Sequence, residues 1–108
     1  MQPFREEEKM VRLAKLVIET TRLEDYKNAL REEIETSLGF ETGVLTLYAV
    51  SEKEAPNNIT ILEIYADKEA YEAHLRTPHF IKYKTATMNM IKSLELIETV
   101  PLMPQVKF

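Results

Sequence analysis

The sequence predicts an α+β chain of order β-α-β-β-α-β. Four strand-like runs, at residues 10–19, 43–51, 59–66 and 96–100, alternate with helical segments in that order. An apolar stripe through Leu23, Tyr26, Leu30, Ile34 and Leu38 marks an amphipathic first helix. A restart at Thr77-Pro78 breaks the second helical region in two.

Each element follows from local chemistry. Residues 10–19 are β-branched and apolar on both parities, with Val11, Leu13 and Val17 on one and Met10, Ala14, Leu16 and Ile18 on the other. Thr21-Arg22-Leu23-Glu24 has the form of a capping box, and Gly39 is a natural stop for the helix that follows. Pro56-Asn57-Asn58 supplies turn chemistry between two strand-like runs and predicts a hairpin. Asp67 is placed to cap a short helix through Tyr71 and Leu75. After the restart, Phe80, Tyr83, Thr87, Met90, Ile91 and Leu94 step at helical spacing, and a last strand at 96–100 ends at Pro101. This order is the ferredoxin-like, split βαβ arrangement with a four-stranded antiparallel sheet.

The length, 108 residues, suits one domain, expected over 10–103 with tails at 1–9 and 104–108. Such a sheet carries helices on one face. Strands that are apolar on both parities are usually buried on both. One chain has helix enough for one side, so the sequence predicts a homodimer with sheets face to face, a dimeric α+β barrel.

Composition narrows the function. A net charge of −4 argues against a nucleic-acid surface. The absence of cysteine excludes disulfides, thiolate metal sites and cysteine nucleophiles. With glycine only at positions 39 and 43, no glycine-rich phosphate loop can be written. No apolar run approaches the roughly 20 residues of a membrane span. Residues 1–9 lack the apolar core of a signal peptide. A cytoplasmic location is the expectation.

Few polar residues are placed to do chemistry. Glu63 sits in an apolar strand; if buried it needs a partner or a proton, and a raised pKa would make it a base. The plainer reading is a solvent-facing or ion-paired strand residue. His79 falls at the second helical position after Pro78, where the helix dipole disfavours imidazolium. It is a candidate proton acceptor or a histidine bonded to backbone or water. His74 lies five residues earlier across the proline. That is not a same-face spacing, so no metal site is expected. Tyr65, Phe80 and Tyr83 are candidates for a pocket wall, although such spacings more often mean core.

The run Glu63-Ile64-Tyr65-Ala66-Asp67 through His74-Leu75-Arg76-Thr77-Pro78-His79-Phe80 resembles the signature segment of the antibiotic biosynthesis monooxygenase (ABM) domain family, which includes quinol monooxygenases. The shared pattern is a strand ending in Glu-x-aromatic, an acid-capped helix ending in His, then a Thr/Ser-x-His-Phe restart. The resemblance implies a dimeric α+β barrel with a pocket between helices and sheet in each subunit. It implies oxidation of a phenolic or quinol substrate by O2, with no cofactor and no metal. Glu63, Tyr65, His74, His79 and Phe80 match motif positions, and Tyr83 joins them by helical spacing. The haem-degrading branch has a histidine ligand after the restart; Tyr83 and Lys84 stand there instead, and the chain has no tryptophan. Haem degradation is therefore not expected.

Three functions follow. The leading one is a cofactor-free monooxygenase in which His79 or His74 removes a phenolic proton, Glu63 orients or polarises a histidine, and Tyr65, Phe80 and Tyr83 exclude water. The Thr77-Pro78-His79 restart equally resembles the isomerase that processes phosphorylated autoinducer-2. That would need a cationic phosphate site at Arg76 or Lys82. A non-catalytic small-molecule binding module is the third.

Overall fold

The structure is a computed structural model and describes residues 9–102. The expected tail at 104–108, and most of that at 1–9, lie outside the described residues. Strand β1 (Met10–Ile18) leads through a single 3-10 turn (Thr20–Arg22) into α1 (Leu23–Phe40). Strands β2 (Val44–Ser51) and β3 (Asn58–Tyr65) form the hairpin. Helices α2 (Lys68–Leu75) and α3 (Pro78–Thr87) precede β4 (Ile91–Thr99). The four strands form one sheet in the order β2-β3-β1-β4, with every neighbouring pair antiparallel. This is the ferredoxin-like α+β fold.

Strand parity divides the sheet. Ala14, Leu16 and Ile18 of β1, with Ile59 and Ile61 of β3, pack against Tyr26 and Leu30 of α1 and Tyr83 of α3. On the opposite face the register aligns Leu13 with Leu62 and Ile97, and Leu62 with Tyr48. No described helix covers that face, and Tyr48 is 65% exposed there. None of the described helices is long and apolar enough to cross a membrane.

Local chemistry explains the helix boundaries, and three of them differ from expectation. Asp67 caps α2 by accepting from the Ala70 amide at 2.7 Å. Thr77 caps α3 with Pro78 in its first turn. By contrast, Thr21 makes no cap to α1. The preceding turn already uses the backbone donors: the Arg22 amide bonds the Glu19 carbonyl at 2.9 Å, and Leu23 bonds Thr20. Gly39 does not stop α1. No glycine has positive φ; the helix runs on to Phe40, and the Glu41 amide closes on the Ser37 carbonyl at 2.9 Å. Glu41 then leaves in extended conformation. Finally, β4 begins at Ile91 rather than at residue 96. The three- and four-residue steps of Met90, Ile91 and Leu94 fit a helix, but pairing with β1 prevails: Leu94 stands opposite Leu16 and Leu96 opposite Ala14.

Gly43 is a close approach. A Cβ built there would lie 2.6 Å from the Ala70 Cβ of α2, whereas one on Gly39 meets nothing within 4 Å. Gly43→Ala should therefore lose about 1–3 kcal/mol in chemical denaturation through forced separation of α2. Gly39→Ala, in a helix, should be neutral or gain up to about 1 kcal/mol. The reverse order would mean that α2 does not pack on Gly43 as described.

Candidate active site

Between the helical face of the sheet and α1, α2 and α3 lies a cavity of about 300 Å³. Ala14, Leu16, Leu47 and Ile61 form much of its floor, with Leu94 and Leu96 from β4. Its wall is largely apolar, broken by a few polar groups.

His74 is among the most deeply placed of these. It closes α2, faces the cavity, and is 2% exposed. Phe80 lies against it with ring centroids 4.9 Å apart, and Tyr65 at 5.5 Å. Its ring nitrogens each meet a carboxylate: Nδ1 is 2.9 Å from Glu41 Oε2, and Nε2 is 3.3 Å from Glu33 Oε1. Glu33 is held in turn by the Ser37 hydroxyl, which donates to it at 2.9 Å. A neutral imidazole has one N–H, so only one of these two contacts can be an ordinary donation. Burial alone would lower the His74 pKa. The Glu33 and Glu41 contacts outweigh it and hold His74 above the ordinary imidazole value. Burial would likewise raise Glu41, but hydrogen bonds from His79 and His74 hold it below the usual carboxylate range.

His79 is not part of the cavity wall. It sits in the first turn of α3 on the outer side of Glu41, with Nε2 2.5 Å from the same Oε2 that meets His74. Thus the two histidines converge on one oxygen from different helices. Their five-residue separation was a poor guide, because the break at Thr77 reorients the chain between them. Donor atoms of Glu41, His74 and His79 all lie within 4.8 Å of one another.

The remaining candidates line the cavity. Glu63, on the floor, accepts from the Tyr65 hydroxyl at 3.0 Å and touches neither histidine. Burial raises its pKa; the Tyr65 bond and the nearby Arg12 charge offset this only in part. The Tyr83 and Tyr26 hydroxyls share a hydrogen bond of 2.6 Å, and burial is the main cause pushing Tyr83 up to about 12. Burial also raises the Tyr65 phenol. Arg12 closes one end, its Nε donating to Glu98 at 2.6 Å and its guanidinium 4.4 Å from the Tyr71 ring centre. The expected phosphate cations lie elsewhere: Lys82 pairs with Glu32 at 2.6 Å on the exterior, and Arg76 borders an outer groove.

Sequence reasoning missed Glu33, Glu41 and Arg12. Glu33 had a readable signal, since Tyr26, Leu30, Glu33 and Ser37 are the buried residues of α1 and share one helical stripe. Glu41 stands four residues beyond Ser37 but past the end of the helix, where the stripe no longer predicts burial.

A ferredoxin-like α+β fold enclosing an aromatic, histidine-bearing cavity defines the class. Residues 10–86 match the family described as antibiotic biosynthesis monooxygenase, and the chain belongs to that family. A crystal structure from Bacteroides thetaiotaomicron VPI-5482, named as a candidate antibiotic biosynthesis monooxygenase, is similar at 55% identity and TM-score 0.95, covering 96% of this chain and 99% of that one. A candidate monooxygenase from Lactobacillus acidophilus NCFM is similar at 30% identity and TM-score 0.85; 86% of this chain matches 44% of that one. This chain thus spans less than half of that relative. A candidate family member from Nitrosomonas europaea, at 19% identity and TM-score 0.83 over 90% of this chain and 93% of that one, shares the fold. No curated protein matches the sequence. Family and neighbours together support a monooxygenase-like role.

The raised His74 pKa has a signed consequence for stability. A group whose folded value is raised stabilises the fold fully below its unfolded value, about 6.5, and loses that effect as pH rises through the folded value. Glu41, lowered, acts in the opposite sense, so its effect is lost as acid is added. Wild type should therefore exceed His74→Gln in unfolding free energy by more at about pH 6 than at about pH 9, reaching about 3 kcal/mol at the lower pH. Equal differences at both pH values would contradict the charged pairing.

Proposed function

We propose that the protein is a cofactor-independent monooxygenase that oxidises a small phenolic or quinol substrate with O2, with His74 as the base. The observation that carries this reading is the buried His74 imidazole in an aromatic-walled cavity, hydrogen-bonded outward through Glu41 to His79. The substrate hydroxyl reaches His74 at Nε2, beside Glu33. As Nε2 takes the phenolic proton, Nδ1 releases its own toward Glu41, whose oxygen also meets His79 at the half-buried rim. A free phenol holds its proton to about pH 10, so a base raised above the ordinary imidazole value narrows the gap between donor and acceptor.

The phenolate then passes one electron to O2, giving a phenoxyl radical and superoxide. These combine at a ring carbon bearing hydrogen. The O–O bond of the resulting peroxide breaks with loss of water, leaving a quinone. One oxygen atom enters the product and the other leaves as water. Tyr65, Phe80 and Tyr83 enclose the ring and exclude water. Glu63, carrying a raised pKa on the floor, orients the substrate hydroxyls.

We propose the working unit to be a homodimer in the cytoplasm, joined through the uncovered sheet face. The apolar row across Tyr48, Leu62, Leu13 and Ile97 supports that reading. Light scattering at micromolar concentration should give twice the chain mass, and Leu13→Glu should give the single-chain mass. A wild-type monomer would contradict it.

Oxygen uptake over a panel of quinols tests the chemistry. His74→Gln keeps the side-chain volume but has no proton to exchange, and should lower kcat by about 10²–10⁴-fold. His79→Ala should keep kcat within about tenfold, since it ends the relay outside the cavity. The kcat/KM profile should rise with pH through a value above about 6.5, and Glu41→Gln should move that value down. Full oxygen uptake by folded His74→Gln would overturn the assignment.

A further inference from the structure

We infer that Glu41, His74 and His79 form a binding site for one divalent transition-metal ion of the zinc or cobalt type. The donors are His74 Nδ1, His79 Nε2 and Glu41 Oε2, and they lie within 4.8 Å of one another. Two imidazoles and one carboxylate are a common protein ligand set for such ions, with solvent in the fourth position.

The present spacing is close to what the ion needs. With metal–ligand bonds near 2.0–2.1 Å, tetrahedral donors stand about 3.3 Å apart. The two nitrogens now lie 2.9 and 2.5 Å from Oε2. Opening the site requires Glu41 Oε2 to draw back to about 3.3 Å from each nitrogen, and the two nitrogens, within 4.8 Å of each other, to close to a similar spacing. Glu41 follows the end of α1 and borders an open groove, so it has room to move and the ion has a way in.

The surroundings support a ligand role for His74. Its other nitrogen faces Glu33 at 3.3 Å, and Glu33 accepts from Ser37. A carboxylate on the far nitrogen of a ligating histidine fixes both tautomer and ring orientation. With the ion on Nδ1 in place of the proton held toward Glu41 in the metal-free form, Glu33 would hold the remaining proton on Nε2. The ion would also supply the positive charge that two carboxylates around one buried imidazole call for. Its consequence for turnover rests on the base proposed above: with Nδ1 on the metal and Nε2 protonated, His74 has no free lone pair, and the loaded form is inactive.

The test is Co²⁺ titration of untagged, metal-free protein without substrate, read by visible ligand-field absorption. One equivalent should bind with the intense spectrum of a four-coordinate nitrogen–oxygen site. His79→Ala and Glu41→Gln, each confirmed folded by circular dichroism, should weaken binding more than tenfold, and Zn²⁺ should displace the colour. Glu33→Gln should weaken it by about 10–100-fold while keeping the four-coordinate spectrum. Absence of a stoichiometric spectrum, or an unchanged titration in both His79→Ala and Glu41→Gln, would overturn the site. Binding that persists while oxygen uptake is unaffected would leave the site standing and refute His74 as the base.

Discussion

One buried imidazole between two carboxylates sets the terms for the whole helical layer. His74 has an acid at each ring nitrogen, Glu33 from α1 and Glu41 from the segment after it. Isolated charges at such burial would be strongly unfavourable. Together they are tolerable because each has a partner and the geometry is held by packing. The arrangement ties α1 and the segment after it to the corner between α2 and α3, more than 30 residues further along the chain. Loosening any of them leaves an uncompensated charge beside the cavity.

The fold delivers these groups through ordinary devices. Asp67 and Thr77-Pro78 set the two short helices, and Thr77 Oγ1 donates back to the His74 carbonyl at 2.8 Å. The break between α2 and α3 is therefore a hydrogen-bonded corner that turns His74 inward and His79 outward. Gly43 lets α2 approach the strand entry, close to Glu41, whose Oε2 meets a nitrogen of each ring. Among the described residues, no buried side-chain nitrogen or oxygen lacks a hydrogen-bond partner. The polar groups of the cavity are thus mutually satisfied, and a ligand must exchange contacts with them rather than fill a vacancy.

Much of this was legible before the structure. The segment from Glu63 to Phe80 carries its caps, its proline and its histidines in one contiguous run, so local rules suffice. The element order was equally plain, because the period changes between strands and helices are sharp. Two things were hidden. Where β4 begins was ambiguous because Met90, Ile91 and Leu94 satisfy a helix and a strand alike, and only pairing with β1 decides. The acid partners of the histidines lie 33 to 41 residues away, as Glu41–His74 and Glu33–His74. Neither pairing leaves a local trace, although an acidic residue on the buried stripe of α1 pointed to Glu33.

The most direct measurement is the protonation of the His74 ring in solution, read by ¹⁵N NMR of the imidazole nitrogens. At about pH 6 both nitrogens should carry protons, held by the two carboxylates. As pH rises past the raised value, Nε2 should lose its proton while Nδ1 keeps one toward Glu41, the form that a base facing the cavity needs. A ring already neutral at about pH 6, or one that keeps its proton on Nε2, would contradict the account.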